Sequence, residues 1–267
     1  MATNISDARY GTPEIRSGIS RGTVLLGSRM APPRQSALSV KVERPKSLTE
    51  LAIDQIRAAI VRGELGFGEA LSESVLAATL GISKTPVREA LLHLKMEGLV
   101  EVHPQRGTFV FQLGEAEVAN ICRFRSMIEC EALADGMEHR PEALIQALEK
   151  CLDDMAAAFS KQQHDEFPRL DTEFHNAIIE SCANGYIQSA YTLVAAQLTA
   201  LRYRLPAENS QVTHCQDNHR VVVDAIRAND AARAQAILRE HIQSTEQAYL
   251  IACRNMVAPA RGDRAAV

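Results

Sequence analysis

Asp171 and His175 stand four residues apart in the run Leu170-Asp-Thr-Glu-Phe-His175. On a helix that spacing puts both side chains on one side. Leu170, Phe174 and Ile178 fall close to the same arc, which aims the polar pair inward. His219 and His241 come later, the first near Val222, Val223 and Ile226, the second near Ile237, Leu238 and Ile242. Three imidazoles and a carboxylate suit Zn²⁺ or a similar divalent ion; octahedral coordination would leave two positions for water or a ligand if each side chain gives one atom. Spacing along a chain does not bring helices together, so histidines satisfied in a core or at a surface fit the same pattern. A hydrolytic use of such an ion needs a general base aligned with bound water. Asp171 and Glu173 are chemically able, but Glu173 points away from the ligand-bearing side, and Cys182 and Cys215 have no local partner for nucleophilic work. No catalytic residue is assigned.

A second constellation lies in residues 83–97. Val87, Leu91 and Leu94 can form the back of a helix, while Lys84, Thr85, Arg88 and Glu89 lie near its exposed N-terminal end. A helix enters the DNA major groove when its flank is polar and its back is held by a core. Arg88 can donate two parallel hydrogen bonds to guanine or grip a phosphate, Lys84 can donate to either, and Thr85 can pack its methyl on thymine or bond to a phosphate. Ser72 and Ser83 are placed to cap helices whose N-termini could face phosphates. Arg106-Gly107 forms a turn from which the arginine can reach a backbone or a narrow minor groove. Residue by residue, the same pattern describes an ordinary amphipathic helix with a solvated or Glu-paired arginine, so the ordered combination carries the reading.

The elements that must present these groups follow from periodicity. Leu51, Ile53, Ile56, Ile60 and Val61 mark a first helix that stops at Gly63. A short helix after Ser72 puts Val75, Leu76 and Leu80 inside and ends at Gly81. The helix from Ser83 has Pro86 in its first turn and ends at Gly98. Residues 100–103 and 108–111 read as two strands joined by a turn. Helix, helix, turn, helix, hairpin is the order of a winged helix-turn-helix. Beyond Gly114 the pattern is helical, with candidates at 115–138, 142–160, 164–182, 185–204, 209–228 and 231–254. The expected organisation is a flexible basic arm over 1–46, an α/β winged helix-turn-helix over 47–113, an all-α bundle of six or seven helices over 114–257, and a flexible tail over 258–267.

Composition sets the bounds. The 267 residues are 46% hydrophobic, enough for a sizeable core and against global disorder. Neither a membrane span nor a signal-peptide core is expected, and the six cysteines form no CxxC pair, which suits reduced thiols in a cytoplasmic protein. The net charge of −4 is unevenly spread: +5 over residues 1–46, −2 over 47–113 and −7 over 114–257 with its tail. Any nucleic-acid binding must therefore come from a local surface.

The run Gly68-Glu-Ala-Leu-Ser-Glu, then Leu76-Ala-Ala-Thr-Leu-Gly-Ile-Ser-Lys-Thr-Pro-Val-Arg-Glu-Ala-Leu91, then Glu97-Gly-Leu-Val and Arg106-Gly resembles the GntR family of bacterial transcription regulators. The resemblance implies that Arg88, Thr85 and the wing around Gly107 contact operator DNA. Two positions depart from the commonest pattern: Ser74 where a basic residue is frequent, and Lys84 where Arg is usual. Residues 118–250 look like the all-helical effector domain of the FadR-type branch, through Arg125-Ser-Met-Ile-Glu129, Asp171-Thr-Glu-Phe-His175, His219-Arg-Val-Val-Val-Asp-Ala-Ile226 and His241. In metal-containing members an Asp-x3-His segment and two later histidines bind one divalent cation. That implies one ion per subunit on Asp171, His175, His219 and His241, with zinc the first choice and nickel or another transition metal the alternative. The same resemblance implies a small carboxylate effector clamped by Arg125, with Asn218 and Arg202 as further pocket residues. Arg125 could equally pair with Glu129 one helical turn away. A homodimer on a pseudo-palindromic operator follows, because one recognition helix reads only a few base pairs. The alternative is a metal-dependent enzyme acting on a small organic acid and carrying an accessory DNA-binding domain.

Overall fold

The computed structural model describes residues 45–204 and 209–257, with side chains for all of these except 209–214 and 255–257. All but the last two residues of the expected basic arm, and all of the expected tail, lie outside the described residues.

Ser47 starts helix α1 (Leu48–Arg62) with a reciprocal cap. Its hydroxyl accepts from the Glu50 N–H at 3.2 Å, and its own N–H donates to the Glu50 carboxylate at 2.6 Å, so two otherwise orphaned donors are satisfied. Gly63, at φ 82°, ends the helix in the left-handed conformation that a side chain would disfavour. Helices α2 (Glu73–Leu80) and α3 (Lys84–Met96) follow, then strands β2 (Val100–His103) and β3 (Gly107–Val110). The sequence reading missed a strand: β1 (Ala70–Leu71) pairs antiparallel with β3, giving the sheet order β1-β3-β2. Two residues are too few to show an alternating pattern.

Two local expectations need correction. Val75, expected inside, is 62% exposed, and Ala77 takes the buried position on α2. The run Val75-Leu-Ala-Ala-Thr-Leu80 is apolar nearly all round, so hydrophobicity alone could not select its inner face. Ser83 stands at the N-cap of α3, but its hydroxyl makes no capping hydrogen bond. Ser72 does cap α2, accepting from the Val75 N–H at 3.4 Å. Leu51 is also exposed; Ala52, Ile53, Ile56 and Ile60 carry the buried stripe of α1. They pack with Val87, Ala90, Leu91, Leu94 and Phe111 into the N-terminal core.

The remainder of the described chain is a six-helix bundle: α4 (Glu115–His139), α5 (Pro141–Ser160), α6 (Phe167–Ser181), α7 (Gly185–Arg202), α8 (Asn209–Arg227) and α9 (Ala231–Val257). The segment expected as one helix from 164 instead begins as a 3₁₀ turn, His164–Glu166. The α-helix restarts at Phe167, which leaves Pro168 in a first turn where its missing N–H costs little. Among the described residues no helix is long and apolar enough to cross a membrane.

Helix α7 belongs to both cores. Its Tyr191, Leu198 and Leu201 pack in the bundle, while Ala200 is buried with the N-terminal cluster and Ala196 lies against it. The Gln197 amide also donates to the Gly98 carbonyl at 2.9 Å, fixing α7 to the end of α3.

Candidate metal centre and nucleic-acid interface

Helices α6, α8 and α9 bring Asp171, His175, His219 and His241 together, each offering one ligand atom, and these atoms all lie within 4.8 Å of one another. All four residues are buried. Ring packing fixes the imidazoles: Phe174 stacks on His219 at 4.0 Å between centroids, and His175 stacks on His241 at 5.3 Å. Burial holds all three histidines below the ordinary imidazole range, His219 at about 4, so at neutral pH they are uncharged and have a lone pair to give. Burial alone would raise the Asp171 carboxyl, but His175, Arg202 and the other two histidines around it hold it below the usual carboxylate range.

The donor set fits a divalent ion on a further count. Among the described residues, both ring nitrogens of His219 and both of His241 have no hydrogen-bond partner in a site closed to solvent. A neutral imidazole always carries one N–H and one lone pair, and buried polar groups left in this state are costly. A divalent ion would take the lone pair of one nitrogen in each ring.

Charged groups surround this set. Arg202 donates from Nε to Asp171 Oδ2 at 2.6 Å, while Asp171 Oδ1 faces the imidazoles, 3.5 Å from His219 Nε2 and 3.8 Å from His175 Nε2. Arg125 donates from Nε to Glu129 at 2.8 Å, so the helical pairing considered from the sequence is present. Its Nη2 is also 2.8 Å from His175 Nε2. Glu129 Oε2 lies 2.9 Å from His175 Nδ1, without the alignment of a hydrogen bond. Carboxylates behind a histidine ligand commonly fix its tautomer. Asn218 is half-buried beside His219 on α8.

Sequence reasoning gave Glu129 only a structural part and missed Tyr191 and Tyr249. Both tyrosines are buried, and neither hydroxyl makes a well-formed hydrogen bond. Tyr249 lies within electrostatic reach of Arg202, Arg125 and Asp171, and Tyr191 of Glu129, Arg202 and Arg125. No spacing signal ties tyrosines on α7 and α9 to a site on α6.

In the N-terminal region α3 turns Lys84, Thr85 and Arg88 to solvent, with Pro86, Val87, Ala90, Leu91 and Leu94 behind them. Glu89 accepts from the Thr49 hydroxyl at 2.8 Å and so ties α3 to α1. The exposed Arg88 forms a two-point pair with Glu73 of α2, Nε to Oε1 at 3.0 Å and Nη2 to Oε2 at 2.7 Å. Arg106 and Gly107 are exposed at the tip of the β2–β3 hairpin, where Gly107 has φ 116°.

The model for bacterial regulatory proteins of the gntR family matches residues 48–110, and an FCD domain matches residues 120–244. An HTH-type transcriptional regulator of Streptomyces ambofaciens is 31% identical over 192 residues, covering 71% of this chain and 80% of its own. The chain belongs to the GntR family. Another relative, the gluconate operon transcriptional repressor of Bacillus subtilis, is 31% identical over 183 residues, covering 67% of this chain and 75% of its own. Among solved structures, a GntR transcriptional regulator from Rhodococcus sp. RHA1 superposes with a TM-score of 0.67 at 21% identity, covering 77% of this chain and 98% of the other. That likeness speaks for the fold. Membership classes this GntR protein as a DNA-binding transcription regulator rather than an enzyme. Its four clustered ligands form a site able to hold a metal ion.

Proposed function

We propose that this GntR protein is a cytoplasmic homodimer that binds a pseudo-palindromic operator and responds to a small carboxylate metabolite held beside a divalent ion. In this reading residues 47–113 bind DNA and residues 114–257 sense the ligand and dimerise. Lys84, Thr85 and Arg88 meet base edges and phosphates in the major groove. The N-termini at Ser72 and Ser83, with Arg106-Gly107 on the wing, meet the backbone. Asp171, His175, His219 and His241 hold the ion, which supplies a Lewis-acidic position for a carboxylate oxygen; three imidazoles and one carboxylate favour zinc, with nickel the competing choice. Arg125 clamps the same carboxylate from its free guanidinium edge, with Arg202 and Asn218 nearby. A relative that represses a gluconate operon supports a carboxylate as the class of signal.

One observation carries the coupling: the end of α7 and the turn that follows it hold both ends. Arg202 grips the ligand residue Asp171, and Arg204 grips the end of α1, donating to the carbonyls of Ile60 at 2.7 Å and Val61 at 3.0 Å. A carboxylate that drew on Arg202 or Asp171 would pull the helix on which the N-terminal core rests. Beside Arg204 lies a cavity of about 340 Å³, lined also by Gly63, Gly66, Phe67, Gln112, Leu113 and Cys253. A tenfold change in operator affinity requires only about 1.4 kcal/mol of differential binding. The test is a titration of operator DNA with metal-loaded protein across a panel of small acids. Affinity should change at least tenfold with one of them; a flat response throughout contradicts ligand control.

A further inference from the structure

The buried charges around the four ligands limit what the effector can be. Among the described residues, those closed to solvent here are Arg125 and Arg202 against Glu129 and Asp171, so the two guanidiniums and two carboxylates cancel. The three histidines add no charge when neutral. A divalent ion therefore introduces two positive charges with no counter-charge inside the protein, and buried uncompensated charge is costly.

Unused hydrogen-bond donors tell the same story. Among the described residues, Arg125 Nη1, Arg202 Nη1 and Nη2, and the hydroxyls of Tyr191 and Tyr249 make no well-formed hydrogen bond. Arg125 Nη2 is engaged only with His175 Nε2. An imidazole nitrogen that gives its lone pair to a metal cannot also accept from a guanidinium, so loading the site frees this donor as well. These groups come from α4, α7 and α9, whereas the two oxygens of one carboxylate sit about 2.2 Å apart by ordinary covalent geometry. A single carboxylate on the ion and on Arg125 leaves Arg202 Nη1 and Nη2 and the two tyrosine hydroxyls without an acceptor.

We infer that the effector is a small dicarboxylate: one carboxylate faces the ion and Arg125, and the second is taken by Arg202 with Tyr249 and Tyr191. This rests on the carboxylate reading above and narrows it. Two anionic groups cancel the two added charges and give acceptors to donors on all three helices.

The test compares acids that differ only by a methyl in place of a second carboxylate, on zinc-loaded full-length protein by titration calorimetry. The pairs are propionate and malonate, butyrate and succinate, and valerate and glutarate; three lengths keep a poor fit of one chain from deciding the answer. In at least one pair the dicarboxylate should bind tenfold or more tightly. Tyr249→Phe keeps the ring and removes one donor; it should weaken the preferred dicarboxylate severalfold and leave zinc content and monoacid affinity unchanged. Equal binding within every pair overturns the dicarboxylate assignment and leaves the carboxylate reading standing. If no acid of either kind binds the zinc-loaded protein, both fall.

Discussion

Arg202, the last residue of α7, and Arg204, two residues past its end, reach into different halves of the protein: the first holds Asp171 Oδ2 at 2.6 Å, the second holds the Ile60 carbonyl at 2.7 Å. Arg204 also lays its guanidinium 3.8 Å from the Phe67 ring centre and donates to the Ala200 carbonyl of α7. Burial lowers its pKa to about 10, still protonated at neutral pH. One short stretch of backbone therefore ties a candidate metal ligand to the first helix of the winged region.

That link predicts an uncoupled variant. Arg204→Met keeps much of the aliphatic packing and removes the donors to α1. Zinc content should be unchanged and operator affinity without effector should stay within a few-fold of wild type. The effector-dependent change in affinity should fall to a few-fold or less. A full response in this variant would show that α7 is not the route.

The polar edge of α3 predicts two opposite effects. Arg88→Ala should cost about 1–3 kcal/mol of operator binding and relax preference at one base pair. Glu73→Gln removes the carboxylate that holds Arg88, together with a negative charge facing DNA. Non-specific affinity should rise while discrimination between operator and random duplex falls. Fluorescence anisotropy with both duplexes measures each.

Metal analysis should find one ion per chain. His219→Ala should lose it, whereas Glu173→Ala, whose partner in the structure is the exposed Arg169, should keep it. At a metal concentration a thousandfold above Kd, binding adds about 4 kcal/mol to stability. Chelation should therefore lower the melting temperature of the native protein and leave that of His219→Ala unmoved.

The two faces of the winged region predict unequal costs. Ile60 and Leu94 are fully buried, and truncating either to Ala should cost about 2–5 kcal/mol in urea unfolding. Val75→Ala, on the exposed face of α2, should stay within about 0.5 kcal/mol.

What could be read from the sequence was what neighbouring residues decide. Ser47, Gly63, Gly81 and Asn184 mark helix ends through local hydrogen bonds and backbone conformation, and the helices lie within a few residues of where periodicity put them. The Asp171–His175 pair was legible for the same reason, since four residues make one helical turn. Contacts between distant segments were not legible. The partner of Arg88 is fifteen residues away on another helix, β1 exists only because β3 lies beside it, and Tyr191 and Tyr249 enter the metal region by helix packing. The four ligands themselves carried the pattern, but their convergence needed the fold.

The central claim is that α3 reads DNA sequence, and the most direct test is selection from random duplexes by the full-length, zinc-loaded protein, followed by titration of the winning sequence with wild type and Arg88→Ala. Selection should converge on an inverted repeat whose affinity falls at least tenfold in the variant. No convergence, or equal affinity for wild type and variant, would contradict the account.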